Sequence, residues 1–325
     1  MEPITAPEKE QLEPAFDSFN WQFDSLKECI VCGSPDFAVH YQSERRGVPL
    51  AFSRCQRCDV VFQNPRLTLE CLKYFFSSEF FFGKSGDAPA KDAVGYYDYG
   101  AWENCYKMNS DAILRSIQKY VPPPAQLLEV GPATGWFLNA ARKMGYEVTG
   151  NDISEELASR VYKLYGIRVE ISSIEQCNVD RKKYDVICNF GGIACWYNPH
   201  KAFHNIHALL NKNGVFCFNY IDYHNPVARM RGKHYFEFNH ASLAIYTVKP
   251  IHRLLEESGF KIISEKTQWQ YASFRRILSY LKMDRPYRLF EKLKLLDTVI
   301  LIPAIGTRLV IAAKDESGGQ IGGKR

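Results

Sequence analysis

From about residue 121 onward the chain alternates short apolar runs with longer segments whose apolar residues recur every three or four positions. The runs are QLLEV, EVTGND, RVEIS, YDVICNF, GVFCFNY, FKIISEKT and TRLVIAAK. Between them, helices are predicted to begin near Thr134 and Ser154, to span about 200–211 and to occupy VKPIHRLLEESG. Strands separated by helices predict a mostly parallel sheet covered on both faces. Upstream, FQNPRLTLECLKYFFSSEFF reads as a turn at Asn64-Pro65 followed by a helix and an aromatic strip. YYDYGAWENCYKMNSDAILRSIQKY has the spacing of one long helix, which VPPPAQ stops near residue 120.

Composition narrows the class without choosing a function. With 325 residues, 46% of them apolar, the chain has room for one large domain and a small one. A net charge of +5 is too mild to demand nucleic acid or an anionic surface as partner. The N-terminus, MEPITAPEKEQLEP, lacks the basic start and apolar stretch of a secretory signal, so a cytoplasmic location is expected. The most apolar stretch, LLDTVILIPAIG, is too short to span a bilayer and is interrupted by Pro303.

Ten cysteines in such a chain are expected as thiols or metal ligands. Cys29, Cys32, Cys55 and Cys58 form two CxxC pairs, enough thiolates to close a structural tetrahedral zinc site. His200 and His204 stand at i, i+4, but no third ligand can be named, and a solvated helix face explains them as well.

The run LLEVGPATGW carries the chemistry. Gly131 permits a sharp turn after the first strand, Gly135 permits close approach to a ligand, and Asp152 at the end of the second strand is placed to accept two ribose hydroxyls. The GxGxxG pattern that sets a helix N-terminus against a pyrophosphate is missing. Glu129, two residues before the first glycine, suits a cation instead. S-adenosylmethionine has both the ribose and the positive charge.

Together with CIVC…CQRC…VFQNPR, YYDYG, NPHKAFHNIHALLNKNGVFCFNY and TVKPIHRLLEESGF, this stretch resembles the class I S-adenosylmethionine-dependent methyltransferases, in particular the group with an N-terminal zinc ribbon. The resemblance implies a Rossmann-like α/β sheet, mostly parallel with an antiparallel last strand. It divides the chain into an N-terminal tail (1–28), a zinc ribbon (29–65), a helical linker and cofactor lid (66–120), a methyltransferase domain (121–315) and a tail (316–325). It implies that Glu129, Gly131 and Gly135 contact the methionine end of the cofactor, Asp152 the ribose, Ser173 and Ile174 the adenine, and that Asn189 lines the methyl pocket. Tyr96 and Tyr99 would be lid residues, with core packing an equal alternative.

The chain departs from that pattern after the fourth strand. The histidine and the Glu-His pair common there are replaced by a stretch containing Gly191, Ala194 and Cys195, so a proton acceptor must come from elsewhere or be dispensable. Tyr223, His224 and His240, after the fifth strand, are the candidates, with Asp222 and His234 beside them. The expected acceptor is a small molecule or carbohydrate-like: a sugar, nucleotide-sugar, glycan or secondary metabolite. One alternative is RNA, gripped by a ribbon bearing Arg45, Arg46, Arg54 and Arg57; another is a non-catalytic cofactor-binding scaffold. Residues 275–306 mix basic and apolar residues, which suits either packing on the sheet or peripheral contact with a membrane.

Overall fold

The computed structural model describes residues 20–45, 47–77, 99–180, 182–280 and 283–315. A seven-stranded sheet forms its centre. Five of the strands are parallel neighbours: β6 (Gln126–Val130), β7 (Glu147–Asp152), β8 (Val169–Ile171), β9 (Tyr184–Phe190) and β10 (Leu210–Ile221). Two longer strands, β12 (Phe260–Ser273) and β13 (Val299–Lys314), complete the order β12-β13-β10-β9-β6-β7-β8, with β13 antiparallel to both neighbours. The chain runs outward from β6 through β7 to β8 and then returns to β9 on the other side of β6. That reversal opens a crevice beyond the carboxyl ends of β6 and β9.

Local sequence explains the crossovers. The helix after β7, α4 (Glu155–Tyr165), starts at Ser154, whose hydroxyl accepts from Leu157 N–H, and stops at Gly166 with φ +64°. After β9, α5 (Pro199–Leu209) has Asn198 as cap and proline at its first position. α6 (Pro226–Arg231) repeats the device with Asn225 and Pro226. The remaining helices are α1 (Leu69–Ser77), α2 (Tyr99–Ile117), α3 (Trp136–Lys143), α7 (Val248–Glu257), α8 (Phe274–Tyr280) and α9 (Asp284–Lys292). Among the described residues no helix is long and apolar enough to cross a membrane.

The N-terminal module is fused to this domain rather than strung from it. Strands β2 (Phe37–Arg45), β3 (Val48–Cys55) and β4 (Val61–Gln63) form an antiparallel sheet whose fourth strand, β11 (Ala244–Ile245), comes from the other end of the chain. A second small pair joins β1 (Phe23–Asp24) to β5 (Arg66–Leu67). Gln63 is buried, and its amide donates to the carbonyls of Asn239 and Ser242, both at 2.9 Å, and of His240 at 3.2 Å. Val31, Val60 and Phe62 share one apolar cluster with Trp196, Phe203 and Phe218 of the large domain.

Beyond Thr267 the structure is more extended than the sequence pattern suggests. Residues 299–306, within the stretch read from sequence as packing on the sheet or touching a membrane, continue β13, and 299–303 pair with 269–273 of β12. Pro303 is tolerated because this part of β13 has β12 as a neighbour while β10 pairs only from Thr307 onward.

Candidate functional site

The crevice is an open cleft built by four successive strand ends. Gly131 and Ala133 follow β6, Ile153 and Ser154 follow β7, Ser172–Glu175 follow β8, and Gly191 and Gly192 follow β9. Its far wall is apolar: Leu69, Leu72 and Phe76 of α1 face Trp196 and Tyr197.

The turn after β6 has left-handed backbone at three of five residues: Gly131 (φ +70°), Ala133 (φ +49°) and Gly135 (φ +74°). A methyl on Gly135 would stand 3.0 Å from both Val161 methyls, so this glycine is needed for the packing of α4, and it does not line the cleft. A side chain at Gly150 in β7 would collide with Val169, Pro132 and Leu138, which is how the turn folds down over the sheet. An isolated glycine within a strand pattern is the signal that could have announced this approach.

Two carboxyl groups define the electrostatics. Glu129 is only 4% exposed, and its Oε2 has no hydrogen-bond partner. Burial first, and then the neighbouring Asp152, hold its pKa well above the usual carboxylate range, against the opposing N–H of Leu138. Asp152, 8% exposed at the end of β7, is pushed up to about 6 by burial, although the backbone N–H groups of Ser154, Ala133 and Ile153 favour its ionised form. Ser154 N–H donates to its Oδ1 at 2.9 Å. Asp152 lines the cleft at the end of β7, and Glu129, whose Oε2 has no donor, is buried beside it without itself lining the cleft. A carboxyl acceptor at that strand end fits the ribose hydroxyls of S-adenosylmethionine.

Of the other residues named from sequence, Ser173, Ile174 and Asn189 also line the cleft. Asn189 is 1% exposed, and its amide ties strand ends together: Nδ2 donates to Val130 O at 2.8 Å, and Oδ1 accepts from Gly192 N–H at 3.1 Å. Glu175 was not anticipated, although it follows Ser173 in a tight Ser-x-Glu turn. It accepts from the Ser173 hydroxyl and from the N–H groups of Tyr197 (2.8 Å) and Asn198 (3.2 Å). Tyr96 lies outside the described residues, as does the side chain of Tyr99, the first residue of α2.

The three proton acceptors proposed from sequence are not at the cleft. Tyr223 hydroxyl meets His40 Nε2 at 2.8 Å, and His224 Nε2 lies 2.9 Å from Asp59, so both face the N-terminal module. His240 is buried against Pro49 O at 3.2 Å. Pairing of β11 with β4 draws the whole segment after β10 toward that module, away from the strand ends. His234 is exposed, and Asp222 caps His224 N–H.

The cysteine pairs do converge. The Sγ atoms of Cys29, Cys32, Cys55 and Cys58 lie within 4.8 Å of one another, against about 3.8 Å between thiolates on a tetrahedral zinc. All ten cysteines are free thiols. The two knuckles turn at left-handed Gly33 and Asp59. His200 Nε2 meets Val31 O at 2.7 Å inside the first knuckle, and Lys249 donates to Arg57 O at 3.0 Å inside the second. His200 therefore braces the metal-type cluster from outside it.

A family model described as a methyltransferase domain matches residues 102–265. Among curated proteins no match was found. Similar solved structures include an S-adenosylmethionine-dependent methyltransferase of Clostridium acetobutylicum, 12% identical, covering 67% of this chain and 93% of that one with a TM-score of 0.45. Another, from Thermotoga maritima, is 17% identical over 67% of this chain and 95% of that one, with a TM-score of 0.46. A TehB-like enzyme of Corynebacterium glutamicum is 14% identical over 66% and 95%, with a TM-score of 0.43.

The strained alanine in the turn yields a direct test. Replacing Ala133 by glycine relieves a left-handed conformation worth roughly 1–2 kcal/mol and adds about 0.4–1 kcal/mol of unfolded-state freedom. Ala133→Gly is expected to stabilise the ligand-free protein by about 0.5–1 kcal/mol, seen as a higher denaturant midpoint at unchanged slope.

With a methyltransferase-domain model spanning half the chain and the β12-β13-β10-β9-β6-β7-β8 sheet holding two buried acids at its switch point, the chain belongs to the methyltransferase-domain family, as an S-adenosylmethionine-dependent methyltransferase.

Proposed function

We propose that the protein methylates a small, uncharged, hydroxylated acceptor, a sugar or similar metabolite, and that its four thiolates hold a structural zinc. The observation that supports this reading is the lining of the cleft. Beyond the strand ends its wall is Leu69, Leu72, Phe76, Trp196 and Tyr197, and no lysine, arginine or histidine lines it among the described residues. Aromatic and aliphatic faces suit the apolar faces of a sugar ring, whereas a phosphate-bearing acceptor would meet the acids Asp152 and Glu175 and no cationic side chain of the described lining. Arg54, one of the cations that would grip RNA, is held by Asp59 at 2.6 Å.

In this reading S-adenosylmethionine supplies an activated methyl on a sulfonium, so a good leaving group is built into the cofactor. Glu129 faces the positive end, Asp152 accepts from the ribose hydroxyls, and Ser173 and Ile174 edge the adenine. Asn189 fixes the ends of β6 and β9 so that the turn keeps its shape. The apolar wall excludes water and aligns the acceptor. In-line displacement is accelerated mainly by such alignment, and a proton acceptor matters only for a weak nucleophile.

The acceptor class is tested by incubating purified protein and labelled cofactor with separated cell fractions. Label is expected in the small-molecule or glycan fraction; label in RNA, with binding that falls steeply with salt, would transfer the assignment to nucleic acid, and no label anywhere would sink the catalytic reading.

Ionised Asp152 is the form that accepts ribose hydroxyls, so binding is linked to its proton. With a free-protein pKa of about 6, affinity for the cofactor is expected to be about tenfold lower at pH 5 than at pH 7. Asp152→Asn should weaken binding at pH 7 at least tenfold and remove that step in a calorimetric pH series. In the ligand-free protein the sign is opposite. The folded pKa exceeds the unfolded one, so Asp152 adds stability at low pH that is lost as pH rises from about 4 through 6.

For the metal, elemental analysis is expected to give about one zinc per chain. Because the knuckles share a core with Trp196 and Phe203, stripping the ion with a chelator should weaken cofactor binding at least tenfold and lower the melting temperature. A stripped protein that binds as before would show that the cluster plays no part in shaping the cleft.

A further inference from the structure

The insertion at the tip of the β12–β13 hairpin is not used by the cleft. Where β10 no longer covers β13, the two strands continue as a ribbon that α2 braces along the β12 edge, Asn109 accepting from Tyr271 N–H at 2.7 Å and donating to Tyr271 O at 3.1 Å. Trp269 stands opposite Pro303, and Tyr271 opposite Leu301, so these side chains and Ile305 share one face. Trp269 is 57% exposed, Leu301 49% and Ile305 57%, an unusual run of large apolar groups in water.

The helices carried at the tip show the same pattern. The inward side of α9 is anchored, with Phe290 against Phe274 at 4.8 Å between ring centroids and Tyr287 hydroxyl accepting from Arg275 at 2.9 Å. Its outward side bears Leu289 and Leu293, 55% and 56% exposed and one turn apart. Arg285, Arg288 and Lys292 flank them on the same side, all exposed, and Leu295 and Lys294 continue the mixture into the next turn. From Phe274 to Asp297 the sequence has seven cationic residues and three acidic ones, an excess of four. Arg275 is bonded to Asp297 at 2.9 Å, whereas among the described residues Arg285, Arg288, Lys292 and Lys294 are in no ion pair.

From this juxtaposition we propose that the hairpin tip docks on an anionic lipid surface. Leucines at i, i+4 between long cationic side chains can enter the headgroup boundary while the charges reach lipid phosphates. A second copy of the chain is a poorer occupant. A two-fold contact would set each cationic helix against its own image, and of the acids described on the insertion Asp297 is already held by Arg275, which leaves Glu291. The ribbon's Trp269 and Leu301 extend the apolar contact.

The test is co-sedimentation of the full chain with vesicles of phosphatidylcholine alone or mixed with phosphatidylglycerol, at low and high salt. Binding to the anionic vesicles is expected, at least about tenfold stronger than to neutral ones and reduced by salt. Arg288→Gln with Lys292→Gln should weaken it about fivefold per charge. Leu289→Ser with Leu293→Ser should abolish it while cofactor binding, measured as a check on folding, stays unchanged. Equal binding to both vesicle types, or none to either, overturns the proposal. So does a dimer in analytical ultracentrifugation that the leucine variant dissolves, which would give this face to a second copy.

Discussion

Two carboxyl groups kept from water at the ends of neighbouring strands set the terms for everything around them. Burying an ionised carboxylate costs several kcal/mol unless donors or an opposite charge accompany it. Glu129 meets this cost partly by being held protonated and partly through the N–H of Leu138 in the first turn of α3. In a dinucleotide-binding fold the amides at that helix start would face a pyrophosphate. Here one of those amides, the N–H of Leu138, is taken by an acid from the chain itself. The left-handed turn over Gly150 makes this possible, since it brings β6, β7 and α3 close enough for Glu129 and Asp152 to interact.

The N-terminal module belongs to the same mechanical unit. A boundary at residue 65 separates two sequence motifs but not two cores, because Val60 and Phe62 pack with Phe203 and Phe218 and β11 completes the module's sheet. Arg66 makes the link to the cleft explicit. It donates to Tyr197 O at 2.6 Å and stacks on the Tyr197 ring at 3.5 Å, while the Tyr197 hydroxyl donates to Asp24. The cleft wall therefore inherits its position from the module, and α1 follows directly from it.

The central sheet was legible because most of its strands are short apolar runs bounded by turn residues and the crossover helices α4 and α5 have their caps, Ser154 and Asn198, in the sequence. Asp152 and Glu129 were legible for the same reason: position at a strand end is a one-dimensional property. What escaped depends on pairing between distant segments. The two residues of β11 carry no periodicity of their own, yet their addition to β4 removes Tyr223, His224 and His240 from the cleft that chain order assigns them to. Ala133 gives no hint of φ +49°, because a residue type that avoids that conformation is held in it by Pro132 packed over Gly150. At 299–306 a proline and an unbroken apolar run conceal a strand that only β12 reveals.

The resulting site contains acids but little free basicity. Glu129 and Asp152 stand where the cofactor's charge and hydroxyls are expected, and Glu175 has both oxygens engaged by Ser173, Tyr197 and Asn198. The Cys195 thiol, pushed up to about 12 by burial and secondarily by Glu237, is neutral at physiological pH. None of these groups is suited to remove a proton from an unactivated hydroxyl. With a sulfonium as leaving group the barrier that remains is chiefly orientation, which a rigid wall of Leu69, Leu72, Phe76 and Trp196 can lower by holding the acceptor in line and keeping water out. The replacement of the usual imidazole by Gly191, Ala194 and Cys195 is thus coherent with a cleft that works by positioning, and it directs attention to acceptors whose nucleophile is already strong or is deprotonated by solvent.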